Sequence, residues 1–217
     1  MSMKVYSRRK ALLNTENPPL GYEWCDYIEN TSTAYINTGL KGKANLKIDA
    51  TWLFKQSEVA GIMGASYTHK PYNALLYRAN SNSTSYFYYG ASYGSASALT
   101  LNKKWHIVID KGKLYYNDVL KRTLAATGDS TYNFMLFRVA DFGTCVKGQQ
   151  FGCKIWDEGT LVRDYRPIKR LSDNKYGLWD KVNQTFNVSP NGVNFVGGGK
   201  YLSINNLCRI FGERRVA

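Results

Sequence analysis

The strongest constraint in this chain is a two-residue alternation that recurs in short runs and never lengthens into a helical period. Leu46, Ile48, Ala50, Trp52 and Phe54 alternate with Lys47, Asp49, Thr51 and Leu53, the pattern of a strand with one face buried. Trp105, Ile107 and Ile109 alternate in the same way with His106, Val108 and Asp110. Turn residues follow at once. Lys111-Gly112 leads into Leu114-Tyr115-Tyr116, and Asn117-Asp118 reverses the chain again before Val119-Leu120, so this stretch reads as a meander of tight hairpins. Phe134 to Val139 is an apolar run suited to a central strand. Phe151 to Trp156 and Leu161 to Tyr165 flank the turn Asp157-Glu158-Gly159-Thr160, and Tyr176 to Asp180 and Phe195 to Gly199 complete the series. About a dozen strands at 8–12-residue spacing predict an all-β sandwich or jelly roll. No internal repeat is visible.

The 217 residues suit one such domain with extensions. Asn17-Pro18-Pro19 blocks helix and favours extended backbone. The expected division is an extended basic N-terminal arm over 1–20, a sandwich over 21–198 and a basic C-terminal tail over 199–217. Gly197-Gly198-Gly199 reads as a flexible exit from the sandwich, since the spacing of a phosphate loop is missing. No apolar run approaches the length of a membrane helix. Met1 to Lys10 is basic, but Ala11-Leu12-Leu13 is too short for the apolar core of a secretory signal, so synthesis in a cytoplasm is expected.

The chain carries a formal net charge of +13. That implies either a self-repelling soluble surface or an acidic partner. Lys4, Arg8, Arg9 and Lys10 in the arm and Arg209, Arg214 and Arg215 in the tail are the candidate docking cations. No basic helix or aromatic RNA-binding signature is present, so nucleic acid is not the expected partner. The four cysteines, Cys25, Cys145, Cys153 and Cys208, form no C-x-x-C pair, and His69 and His106 stand far apart. A zinc site is therefore not expected. Cys145 and Cys153 are close enough in sequence to meet across a hairpin, with buried free thiols the expected state for a cytosolic product.

The segment from Ser66 to Ala98 is rich in Tyr, Ser, Asn and Gly. That mixture supplies rigid amphipathic rings and adaptable hydrogen bonding, as in paratopes. Tyr72, Tyr86, Tyr88, Tyr89 and Tyr93 are the candidate glycan-stacking residues. The alternative is that they line strands with their hydroxyls in water.

Three blocks in order resemble the concanavalin A/laminin G-like jelly-roll family, whose members include prophage-encoded tail and virion proteins and surface proteins of gut bacteria. They are Tyr27 to Gly39, Cys153 to Pro167, and Tyr176 to Asp180 with Asn183 to Phe186. Together they span roughly residues 26–198. The resemblance implies a concanavalin A/laminin G-like jelly-roll β-sandwich with extended N- and C-terminal arms. It also implies a non-enzymatic virion component, in the tail or on the capsid surface, made in the host bacterial cytoplasm. Its partners would be other virion proteins or further copies of itself, and a host-surface or mucus glycan. A carbohydrate-binding module of a bacterial surface protein is the alternative, and a glycoside hydrolase the third choice. No cofactor is expected. Calcium is the ion such modules often hold, and Asp129, Asp141 and Asp173 are its candidate ligands. Within the blocks, Arg163 and Asp164 fall on opposite faces of a strand, so that one is placed to pair inside while the other is wet. Pro167 is expected to stop the ladder.

Catalysis is not expected. Glycosidases need two carboxylates flanking the scissile bond, and none of the six glutamates sits two or four residues from another acid on a convincing strand. Asp157 and Glu158 are adjacent, so their side chains diverge. Neither histidine has a nucleophile motif to serve.

Overall fold

The alternating segments fold into strands whose inward residues meet between two sheets. The computed structural model describes residues 16–66, 68–78, 84–125 and 128–199, the side chains of 73–78 excepted. Among these residues there are seventeen strands and no helix.

The larger sheet runs in the order β11 (Val119–Thr123), β10 (Lys113–Tyr116), β9 (Lys104–Asp110), β4 (Lys47–Phe54), β13 (Gly148–Asp157), β14 (Thr160–Arg170), β15 (Tyr176–Asp180) and β16 (Thr185–Asn187). β1 (Tyr22–Trp24) adds to β14. β2 (Tyr27–Asn30) adds to β13 and carries β17 (Val196–Gly198). The smaller sheet runs β3 (Ile36–Lys41), β12 (Asn133–Leu136), β5 (Ala60–Gly64), β6 (Tyr72–Arg78), β7 (Thr84–Gly90) and β8 (Ser92–Ala98). Every pairing between these named strands is antiparallel.

The predicted alternation holds in β4, where Ile48, Ala50, Trp52 and Phe54 are all buried. They pack with Phe87 and Tyr89 of β7 and Phe134 and Leu136 of β12 in one core. Each such side chain contributes about 1.5–3 kcal/mol by leaving water. The Trp52 ring meets Phe137 edge-on at 4.8 Å, and Phe137 reaches Phe195 at 5.0 Å.

The three predicted hairpins form as the turn residues dictate. Lys111 and Gly112, Asn117 and Asp118, and Glu158 and Gly159 are consecutive pairs with positive φ, the backbone that matches the twist of flanking strands.

Two arginines cross from the larger sheet to the smaller. Arg163 of β14 donates through Nε and Nη2 to the Thr38 carbonyl of β3, at 3.1 and 2.9 Å, and its Nε lies 3.5 Å from the buried Asp180 carboxylate. Arg122 of β11 lays its guanidinium against Gly94 of β8, where a Cβ would stand. Asp164, on the opposite face from Arg163, lies 3.9 Å from Lys181; with side chains 20% and 19% exposed both are mostly covered, so the expected division into an inner and a wet partner is not observed.

Three further expectations change. The strand expected over Phe134 to Val139 ends at Leu136, because Phe137 takes φ 67° and turns the chain out of the sheet. Pro167 does not stop the ladder, and β14 continues to Arg170. The amide of Arg170 donates to Lys175 and that of Lys181 to Asp164. Alternation then places Pro167 in a non-bonded pair with Leu178. Its nitrogen faces away from β15, on the side where the Cys25 amide donates to the Pro167 carbonyl at 3.1 Å, so no bond to β15 is lost. Gly197 and Gly198 are not a flexible exit. They belong to β17 and pair with β2, and they lack side chains where the rings of Tyr176 and Tyr27 lie against them. Cys145 and Cys153 do not meet across a hairpin, in line with the free-thiol state expected of them. Both are buried free thiols, Cys145 bridged to Gly61 and Cys153 in β13.

Candidate functional site

Strand parity decides which tyrosines face water. In β7 the inward set is Ser85, Phe87 and Tyr89, and the outward set is Thr84, Tyr86 and Tyr88. On the outer face Tyr88 and Tyr93 are cross-strand partners. Their rings stack at 5.0 Å with planes 16° apart, and Tyr72 meets Tyr88 edge-on at 5.6 Å and 84°. The ammonium of Lys70 lies 6.0 Å from the Tyr72 ring centre, at the limit of a cation–π contact. Tyr93 keeps 62% of its surface exposed.

A raised loop borders this platform. After Phe137 the chain passes over β5, where Val139 packs on Gly61. Asp141 clamps that loop to the segment preceding β6. Its Oδ2 accepts from Ser66 Oγ at 2.8 Å, Thr68 N at 3.0 Å and Thr68 Oγ1 at 2.7 Å, with His69 Nδ1 at 3.2 Å.

Of the five tyrosines singled out in the sequence, the structure brings Tyr72, Tyr88 and Tyr93 together, with Tyr86 on the same face. Tyr89 is a correction. It is fully buried and donates its hydroxyl to the Ala44 carbonyl at 2.5 Å, and burial raises its pKa. No ligand reaches it. The docking candidates Lys4, Arg8, Arg9, Lys10, Arg209, Arg214 and Arg215 lie outside the described residues. The described end of the arm meets its own sandwich. The Glu16 carboxylate lies 2.7 Å from Lys181 and 3.7 Å from Arg166, and its carbonyl accepts from the Trp24 indole at 3.0 Å.

The outer face of the larger sheet holds a cleft of about 400 Å³. Here the sequence reasoning missed a juxtaposition. Asp49 of β4 and Asp164 of β14 both stand opposite Lys154 of β13, which puts their backbones roughly 9–10 Å apart. Spacing along one strand does not reveal this pair, because the two acids come from different strands. Each is engaged by a basic group: Asp49 lies 2.9 Å from His106 Nε2 and Asp164 lies 3.9 Å from Lys181. Lys154 stands between them. This arrangement is a neutralised charge row rather than a proton donor facing a free nucleophile.

The calcium candidates lie in separate loops. Asp129 accepts from the Ala44 amide, Asp141 is clamped as above, and Asp173 is held by Arg170 through two bonds of 3.0 and 2.7 Å. Among the described residues no three His, Cys, Asp or Glu side chains are grouped for a metal ion. Burial pushes the Cys25 thiol up to about 12 and raises Cys145 and Cys153 as well, which is the opposite of nucleophile activation.

No family model and no curated protein matches the chain in sequence. In structure it is similar to a "putative carbohydrate binding protein" from Bacteroides ovatus, at 15% identity and a TM-score of 0.57, over 84% of this chain. The chain spans 62% of that protein's length. At this identity the likeness is one of fold. Two sialidase structures from Trypanosoma rangeli overlap less, at 14% and 12% identity. They cover 57% and 73% of this chain and 21% and 36% of theirs, with TM-scores of 0.40 and 0.42. The strand pairing, together with the likeness to the Bacteroides ovatus protein, establishes an all-β, antiparallel sandwich.

Proposed function

We propose that this protein is a non-enzymatic carbohydrate-binding sandwich that holds glycan on the platform of Tyr72, Tyr88 and Tyr93, with Tyr86 beside them. The observation that carries the reading is the stacked Tyr88–Tyr93 pair on the outer face of the smaller sheet, with Tyr93 exposed and Tyr88 half-buried. Rings held by neighbours lose little entropy on binding, and sugar C–H faces pack on them while hydroxyls find polar partners. The fold likeness to a protein described as carbohydrate-binding supports it. The paired state of Asp49 and Asp164 favours binding over hydrolysis.

The sandwich is read as one of concanavalin A/laminin G-like jelly-roll type. In support, the three sequence blocks fall on β2–β3, on the β13–β14 hairpin and on the β15–β16 hairpin. The fold likeness fits the carbohydrate-binding alternative better than a virion component. The virion setting rests on the sequence resemblance alone, and deletion of residues 1–14 followed by an assay of incorporation into particles would test it.

A glycan array probed with the wild type and with a Tyr72→Ala/Tyr88→Ala/Tyr93→Ala variant tests the main reading. Binding to at least one glycan, lost in the variant, is expected. Silence on every glycan, or equal binding by both proteins, would sink it. Polysaccharide turnover abolished by Asp49→Asn would move the protein among the hydrolases.

A further inference from the structure

A second concave site lies away from the tyrosines, at the end of the sandwich where β5 begins. Its volume is about 340 Å³, inside the range of small-ligand sites and far above the share of a single water. The β2–β3 connection supplies Thr31, Ser32 and Thr33, the segment before β5 supplies Glu58, and the segment before β13 supplies Thr144 and Lys147. Backbone bonds fix the last segment in place. The Gly61 amide donates to the Thr144 carbonyl at 3.1 Å, and the Val146 amide to the Gly61 carbonyl at 3.2 Å.

Two features point to a ligand. First, the Glu58 carboxylate is half satisfied. Its Oε2 takes Lys147 Nζ at 3.4 Å, while its Oε1 is buried and finds no hydrogen-bond donor. An ionised carboxylate has about four acceptor positions, and a buried oxygen left unpaired is costly. Second, four hydroxyl-bearing residues, Thr31, Ser32, Thr33 and Thr144, line the pocket, and a hydroxyl can both donate and accept.

The chemistry narrows the class. Glu58 and Lys147 cancel in charge, so the pocket favours neither a carboxylate nor an ammonium group. No aromatic ring lines it, so ring stacking plays no part. The Cys145 thiol at its edge is directed to the Thr33 carbonyl at 3.4 Å and is no nucleophile. We infer that this loop-end pocket binds a neutral polyhydroxylated ligand, a terminal pyranose, by hydrogen bonds alone, with a ligand hydroxyl donating to the accessible side of the Glu58 carboxylate. The inference stands on its own residues and does not require the tyrosine platform.

Two-dimensional amide NMR of the full chain tests it, with glucose, galactose, N-acetylglucosamine and glucuronate added singly at about 50 mM, well above a millimolar Kd. At least one neutral sugar is expected to shift the amides of Thr31, Ser32, Thr33 and Thr144. The same shifts are expected in Tyr93→Ala, which separates this pocket from the platform. Glu58→Gln should weaken binding by tenfold or more. The exposed Ser32→Ala should weaken it about threefold, and the spectrum itself reports whether each variant is folded. Immobile amides with all three neutral sugars would overturn the inference, and so would a preference for glucuronate or full binding by a folded Glu58→Gln.

Discussion

The ring of Tyr93 lies nearly parallel to that of Tyr88, with centres 5.0 Å apart, while Tyr89, one residue from Tyr88, is fully buried. Neighbouring tyrosines of one strand therefore face opposite ways. Tyr93→Ala is expected to reduce glycan affinity about tenfold, some 1.4 kcal/mol. It should lower stability by no more than the ~0.5–1.5 kcal/mol of one aromatic pair. Tyr89→Phe should do the reverse. It removes the bond to the Ala44 carbonyl, costs about 1 kcal/mol of folding free energy, and leaves glycan binding unchanged. Calorimetric titration beside urea unfolding of both variants checks this crossing of effects.

Asp180 is 1% exposed. It accepts from the amides of Asp164 and Val182 and from Asn183, and it faces Arg163. Asp180→Ala should destabilise by about 3–5 kcal/mol, because it strands a half-buried guanidinium as well as two amides. The Asp180→Ala/Arg163→Met double variant should lose less than the two single losses combined. Strict additivity in denaturant unfolding would show that the two groups do not act together.

Gly112 and Gly159 both take positive φ in hairpin turns, yet their surroundings differ. A Cβ on Gly112 would collide with the Leu124 carbonyl, whereas nothing stands within 4 Å of one on Gly159. Gly159→Ala should cost about 1–2 kcal/mol for the backbone alone. Gly112→Ala should cost clearly more, since its methyl group would also overlap the Leu124 carbonyl oxygen, a backbone atom that cannot move aside cheaply. Thermal melts of the two variants, run side by side, give the order.

The Arg170 guanidinium beside Asp173 holds its carboxyl down at about 2, against an ordinary 3.8. A depressed carboxylate stabilises the fold above the unfolded value of 3.8. That contribution is lost as pH falls through about 2. The pair is solvent-accessible, so the effect on stability is small and shrinks with salt. The carbon signal of the Asp173 carboxyl should not move between pH 7 and pH 4, and Arg170→Met should return its midpoint to the ordinary range. A midpoint near 3.8 in the wild type would contradict the bidentate contact.

What the chain settles locally was legible in its sequence. The two-residue period of β4 and β9 fixes which side chains enter the core, because successive Cβ atoms of a strand point to opposite faces. Three turns were legible because glycine, asparagine and aspartate accept positive φ where other residues resist it. Parity also bears on the site: Tyr88 and Tyr89 cannot both face a ligand from one regular strand.

The tertiary structure decided the rest, because it depends on which strands become neighbours. Tyr72, Tyr88 and Tyr93 meet only through the pairing of β6, β7 and β8. Asp49 and Asp164, 115 positions apart in the chain, share a face only because β13 lies between their strands. Thr31, Glu58 and Thr144 come from three connections that the alternation does not place. Register across a sheet is set by the packing of whole strands, and no spacing within one strand encodes it.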